Sequence, residues 1–174
     1  MKVPFLDVKA SYMALKSELD SAFRRCMESG TYILGDEVEF FEKEFASFHE
    51  VQHCVGVANG LEALQLILMA LGIGPDDEVI VPAHTFVATW LAVSFTGARP
   101  VAVDVRRDTY NIDAALIQNA ITKRTRAILP VHLYGQPADM DAILRAIDPK
   151  QIAIVEDAAQ AQGAGCSCGG VLHR

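Results

Sequence analysis

The pattern of apolar positions changes character near residue 50. Before it, apolar residues recur at helical spacing and predict a helix from about Ser11 to Glu28 that ends at Ser29-Gly30. A second helix is predicted from Asp36 to about Phe48, with Asp36 as its N-cap or as an acid in its first turn. We therefore interpret residues 1–50 as leading helices.

Between residues 51 and 163, short apolar runs alternate with helical stretches. The runs CVGVA, EVIVPA, RPVAVDV, RAILPVH and IAIVED have the length of strands. The helices predicted between them span roughly Leu61 to Leu71, Thr85 to Phe95, Asp113 to Ile121 and Asp139 to Ile147. This alternation predicts an α/β domain with a mostly parallel sheet flanked by helices.

Composition narrows the class of protein. The chain of 174 residues is 51% hydrophobic and 21% charged, which is typical of one globular domain. Its net charge of −7 comes without a basic run, which argues against nucleic acid or a membrane surface as partner. Because four cysteines make no disulfide framework and neither a signal peptide nor a membrane span is evident, we expect a cytoplasmic protein.

Candidate chemistry is sought after the carboxyl ends of the strands, where parallel sheets bind ligands. Asn59-Gly60 follows the run CVGVA and leads into a helix predicted to start at Leu61. Gly60 would allow a tight turn, and the free N–H groups of the helix start would suit a phosphate. The alternative, an ordinary strand-to-helix turn, is the more common case. A dinucleotide-binding domain is a weaker alternative, because the sequence has no GxGxxG motif.

A carboxylate and an aromatic residue follow two further strands. Asp157 could hold a heterocyclic cation such as the pyridinium of pyridoxal phosphate (PLP), with Gln160 near its phenolic oxygen. The alternative is that Asp157 caps a helix and Gln160 is solvated. Phe86 could stack on a planar ring, although a lone phenylalanine is usually a core residue. His84 could form a hydrogen bond within its loop. Together the three places suggest PLP.

An ordered series of segments resembles one known family. The segments are VPFLDV, SGTYILGDEVEFFEKEFASF, GVANGLEALQLIL, DEVIVPAHTFVATWLAVSFTGARPVAVDV, ILPVHLYGQPADMDAI and IVEDAAQAQGA. From about Pro4 to Gly163 the chain resembles the sugar aminotransferases of the DegT/DnrJ/EryC1/StrS group, PLP-dependent transferases of aspartate aminotransferase-like fold (fold type I). Within the group, GVANGLEAL and HTFVATWLAV look most like enzymes that aminate C3 of dTDP-linked keto sugars.

The resemblance implies a cofactor, a substrate and an assembly. The cofactor would be PLP, cycling with its amine form PMP, and the substrate a nucleotide sugar, a dTDP-3-keto-6-deoxyhexose, with glutamate as amino donor. The family's homodimer would complete each site. The residues that it implies as coenzyme contacts are Asn59, Gly60 and Leu61 at the phosphate, Phe86 stacked on the ring, Asp157 at the pyridine nitrogen and Gln160 near O3′.

The chain departs from the family pattern after residue 163. The family's Schiff-base lysine lies beyond EDAAQA, whereas all six lysines here precede Asp157, and residues 164–174 form an atypical tail. We therefore expect an N-terminal part of the PLP-binding large domain, truncated by a fragmentary gene or a frameshift, without the small domain and inactive alone. The alternative is a non-catalytic fragment that binds a sugar nucleotide or pairs with a full-length homologue. Cys166, Cys168 and His173 lie in an end that we expect to be unstructured and lack zinc-site spacing, so no metal is expected.

Overall fold

The computed structural model describes residues 4–168 and 171–173, and the side chains of residues 4–165. Two compact units are present, Met1–Gly56 and Val57–Arg174. Among the described residues, every helix is too short or too polar to cross a membrane.

The first unit contains the two leading helices, and both predictions are confirmed. Helix α1 spans Val8–Ser29 and helix α2 spans Asp36–Phe48. Helix α1 begins earlier than predicted because the Asp7 side chain caps it. Gly35 occupies the N-cap position of α2, so Asp36 is an acid of the first turn. Its negative charge there interacts favourably with the positive end of the helix dipole.

The second unit is a parallel sheet between helices, as predicted. Its strands are β1 (Glu78–Pro82), β2 (Arg99–Val103), β3 (Thr125–Ile128) and β4 (Ala153–Ile154). Their order is β2-β1-β3-β4, and every pair is parallel. The helices are α3 (Gly60–Ala70), α4 (Val87–Phe95), α5 (Ala114–Ala120) and α6 (Met140–Arg145), and a short 3-10 turn spans Leu133–Gly135.

The core lies on both faces of the sheet, because successive residues of a strand point to opposite sides. On one face, Val79 and Val81 of β1 pack with Leu68 of α3. On the other, Ile80 packs with Ile117 of α5 and with α6. Burial on two faces explains why these strands read as continuous apolar runs.

Two predictions about local structure are wrong. The run CVGVA forms no strand, and its Val55 is 76% exposed. A strand needs a hydrogen-bonded neighbour, and the described sheet ends at β2 on one side and at β4 on the other. The tail, expected to be unstructured, pairs as antiparallel strands β5 (Cys166–Cys168) and β6 (Val171–His173). The side chains of these two strands lie outside the described residues, so the expectation of no metal there stays a prediction.

Candidate functional site

A cavity of about 590 Å³ opens at the carboxyl edge of the sheet. Its walls come from the start of α3, from the loop between β1 and α4, and from the segment after β4. All six of the predicted site residues line it: Asn59, Gly60, Leu61, Phe86, Asp157 and Gln160. The fold therefore brings together residues as far apart in the chain as Asn59 and Gln160.

Helix α3 points its amino end at this cavity. The extended backbone of Asn59 makes it the N-cap, and its Oδ1 accepts a hydrogen bond from the N–H of Glu62 at 3.0 Å. Its carbonyl oxygen accepts the N–H of Ala63 at 3.1 Å. The N–H groups of Gly60 and Leu61 come before these and have no acceptor within the helix. They form a donor pair at the positive end of the helix dipole, which suits an anion.

Gly60 does not form the tight turn that the sequence predicted. It is the first residue of α3, one position earlier than predicted, and it is not among the glycines with positive φ. A tight left-handed turn is therefore not its role. A Cβ placed on Gly60 would meet no heavy atom within 4 Å, so open space lies beside the two free N–H groups.

The Asp157 carboxylate is held by one donor on each oxygen. The hydroxyl of Thr89 donates to Oδ2 at 2.8 Å, and the N–H of Ala159 donates to Oδ1 at 3.2 Å. The backbone of Asp157 bonds to Pro130 and His132, which continues the β3–β4 pairing beyond the strands. In the described part of the chain, no cationic side chain lies within salt-bridge distance of Asp157. The site can therefore accept a cation from a ligand.

Two threonines on the β1–α4 segment fix the hydroxyl that reaches Asp157. Thr89 is 1% exposed, and its Oγ1 lies 3.0 Å from the Oγ1 of Thr85. An ionised carboxylate only accepts, so Thr89 gives its single hydroxyl hydrogen to Asp157 and accepts the hydrogen of Thr85. Sequence reasoning missed Thr89. No local pattern in the sequence points to it, because its partner Asp157 lies 68 positions away in the chain.

Phe86 is 75% exposed and occupies the N-cap position of α4. The alternative of a core phenylalanine is therefore wrong. The aromatic residue that packs against the core is Trp90, whose Nε1 donates to the carbonyl of Pro82 at 3.2 Å. The ring of Phe86 is free to stack on a planar ligand in the cavity.

Gln160 is oriented by the 3-10 turn after β3. The backbone N–H of Tyr134 donates to its Oε1 at 2.8 Å. Since a backbone N–H can only donate, this bond identifies the oxygen end of the amide and leaves Nε2 as a donor. Gln160 is exposed, but its side chain is not merely solvated, because this bond ties it to the wall of the cavity.

A buried histidine connects the segments after β3 and β4, and sequence reasoning missed it. His132 is 6% exposed, and its Nδ1 accepts the N–H of Ala138 at 3.0 Å. In the neutral ring the proton must then lie on Nε2, which is 2.7 Å from Oε2 of Glu156 and donates to it. Glu156, which directly precedes Asp157, is thereby bonded to the segment after β3.

The donors and acceptors around the cavity match PLP part by part. The free N–H groups of α3 suit a phosphate, and Phe86 suits an aromatic ring. The Asp157 carboxylate suits a protonated ring nitrogen, and Nε2 of Gln160 suits a phenolic oxygen. The residues present therefore fit this coenzyme.

Curated relatives match most of this chain. A dTDP-3-amino-3,4,6-trideoxy-alpha-D-glucose transaminase of Streptomyces venezuelae is 58% identical over 163 residues, which are 94% of this chain and 43% of the relative. A dTDP-3-amino-3,6-dideoxy-alpha-D-galactopyranose transaminase of Aneurinibacillus thermoaerophilus is 49% identical over 93% of this chain and 45% of the relative. The chain thus spans less than half the length of these curated relatives.

Solved structures confirm the predicted fold of a PLP-dependent aminotransferase. The crystal structure of S. venezuelae DesV with a ketimine intermediate matches with a TM-score of 0.90 and 58% identity, over 93% of this chain and 44% of DesV. Bacillus subtilis NtdA with bound PMP matches with a TM-score of 0.88 and 36% identity, over 93% of this chain and 38% of NtdA. A family model also matches residues 13–169. The chain belongs to the DegT/DnrJ/EryC1/StrS aminotransferase family.

Proposed function

We propose that these residues form the coenzyme-binding part of a PLP-dependent nucleotide-sugar aminotransferase. One observation carries the proposal: the amino end of α3, Phe86, Asp157 and Gln160 meet around one cavity. The names of the relatives support the reaction class, since both are transaminases of dTDP-linked amino sugars.

Each residue has a proposed task toward the coenzyme, which supplies an electron sink when bound. The backbone N–H groups of Gly60 and Leu61, with Asn59 beside them, bind the phosphate. Phe86 would pack on one face of the ring. These contacts orient the coenzyme in the cavity.

The polar end of the site controls the protonation of the ring. Asp157 keeps a proton on the ring nitrogen by accepting a charge-assisted hydrogen bond from it. Thr89 holds the carboxylate in the orientation that this bond requires, because its own hydroxyl is fixed by burial. Gln160 donates from Nε2 to the phenolic oxygen.

The substrate and assembly belong to the same proposal. We infer a nucleotide-linked keto sugar, a dTDP-3-keto-6-deoxyhexose, as amino acceptor and glutamate as donor, in a homodimer. The lining residues described for the cavity include no lysine, and the six lysines of the sequence all precede Asp157. We propose that these 174 residues alone bind the coenzyme without a covalent bond and do not transaminate. Pairing with a full-length homologue stays the alternative prediction.

Calorimetric titration of the chain with PMP tests this proposal. PMP carries its own amine and needs no lysine to bind. We expect one site per chain, and about tenfold weaker binding in Asp157→Asn, since a charge-assisted hydrogen bond is lost. Asp104→Asn is the matched control because Asp104 is an exposed carboxylate outside the cavity lining. Absence of PMP binding, or equal affinity in the Asp157→Asn variant, would contradict the proposal.

A further inference from the structure

Three loops at the carboxyl edge of the sheet each present an aromatic ring. His84 follows β1, Tyr110 follows β2, and Tyr134 follows β3. The ring centroids of His84 and Tyr110 are 6.0 Å apart, and those of Tyr110 and Tyr134 are 6.3 Å apart. Nε2 of His84 also lies 3.4 Å from the hydroxyl of Tyr134. These three residues, the aromatic cluster, are exposed, and their side chains make none of the coenzyme contacts proposed above.

Both tyrosines of the aromatic cluster have a left-handed backbone. The φ angle is 61° at Tyr110 and 57° at Tyr134. This region disfavours bulky residues, and strained positions of this kind concentrate at ligand sites. An exposed ring brings no compensating core packing, and Tyr134 is 68% exposed. Left-handed backbone at two exposed rings therefore makes these rings candidates for a ligand contact.

A buried asparagine clamps the two tyrosine turns together. Asn111, 3% exposed, directly follows Tyr110 in the chain. Its Oδ1 accepts the N–H of Leu133 at 3.1 Å, and its Nδ2 donates to the carbonyl of Gln136 at 2.9 Å. Both partners flank Tyr134, so one side chain fixes the spacing of the two rings. The aromatic cluster is pre-organised, as binding sites require.

The aromatic cluster borders the cavity on the side of Gln160. The N–H of Tyr134 bonds to the Gln160 amide, and both Gln160 and Leu133 line the cavity. His84 directly precedes Thr85, another lining residue. A molecule resting on the aromatic cluster therefore lies next to the predicted position of the coenzyme's phenolic oxygen.

We propose that the aromatic cluster binds the hexose of a nucleotide-sugar substrate, an inference that rests on the proposed function. Tyrosine and histidine rings combine an apolar body with a polar tip. The C–H faces of a hexose can pack on such rings, while its hydroxyls bond to the two phenols and the imidazole. The polar groups of the cluster are two phenol hydroxyls and an imidazole, without the guanidinium group that binds phosphates bidentately, so the cluster suits a sugar better than a diphosphate.

Paired titrations with dTDP-glucose and dTDP on the PMP-loaded chain test this inference. Tyr134→Phe and His84→Ala each remove a polar tip of the cluster. We expect about five- to tenfold weaker binding of dTDP-glucose, the effect of one hydrogen bond, and unchanged binding of dTDP. Tyr12→Phe is the matched control, since it removes the same hydroxyl from an exposed tyrosine of α1.

Tyr134→Gly separates binding from folding. Glycine accepts the left-handed backbone, so Tm should not fall, whereas the affinity for dTDP-glucose should drop at least as much as in Tyr134→Phe. Equal losses for dTDP-glucose and dTDP, or no loss in any of the three variants, would overturn the inference. So would a chain that binds PMP but not dTDP-glucose. Failure of PMP binding itself would instead overturn the proposed function on which the inference rests.

Discussion

The two ends of the sheet each hold a carboxylate, in opposite environments. Glu78 begins β1 and is 3% exposed. It accepts a hydrogen bond from the hydroxyl of Thr122 at 2.6 Å and another from Nη2 of Arg124 at 2.7 Å. Asp157, beyond β4, faces a cavity and has one hydroxyl and one backbone N–H as donors. Glu78 is paired with arginine side chains, whereas Asp157 has no cationic partner among the described residues.

The carboxylate at the amino ends of the strands serves stability, whereas the one at the carboxyl ends is available to a ligand. At the amino edge, the hydrogen bond from Thr122 is the main cause that holds the pKa of Glu78 below its ordinary value, and burial opposes it. At the carboxyl edge, the cavity leaves room for a ligand in front of Asp157. Parallel sheets commonly bind ligands at this edge, and here the placement of the carboxylates shows the physical reason.

The largest expected effect is on folding at the amino edge. Glu78→Gln removes the charge that Thr122 and Arg124 bond, and we expect it to lower the free energy of unfolding by about 2 kcal/mol. Asp157→Asn should cost less than half of that, because no described cation depends on it. Urea unfolding of both variants measures the difference. A greater loss in Asp157→Asn would reverse the assignment of the two edges.

A smaller effect is expected on binding at the carboxyl edge. Thr89→Val removes the hydroxyl that orients Asp157, and we expect about fivefold weaker PMP binding, near 1 kcal/mol. Thr89→Ser should restore most of the affinity. Thr96→Val is the control, since the Thr96 hydroxyl caps the end of the same helix by bonding to Val93. If Thr96→Val weakens PMP binding as much as Thr89→Val, the effect comes from the helix and not from Asp157.

The smallest expected effect is a pH dependence of stability. Because folding lowers the pKa of Glu78 from 4.5, its contribution is complete above that pH and is lost as the pH falls through the lower folded pKa. The gap in unfolding free energy between the wild type and Glu78→Gln should therefore shrink as the solution is acidified below pH 4.5. Urea titrations at a series of pH values measure it. A gap that stays constant over this range would show that the charge of Glu78 does not contribute.

Predictions from the sequence succeeded where the signal is local. The bounds of α2 follow from helical spacing, and the six residues predicted as coenzyme contacts line one cavity, although their role toward the coenzyme stays a prediction. The run CVGVA was misassigned because pairing depends on a neighbouring strand that the run itself does not encode. Thr89 was missed for a similar reason, since its partner Asp157 is 68 positions away.

We propose above all that Asp157 binds the ring nitrogen of the coenzyme. The most direct test compares the affinity of the chain for PMP with that for an analogue whose ring nitrogen is replaced by C–H. We predict that the wild type prefers PMP by about tenfold, the value of a charge-assisted hydrogen bond, and that Asp157→Asn loses this preference. Equal affinity of the wild type for both compounds, or a preference that survives in Asp157→Asn, would contradict the claim.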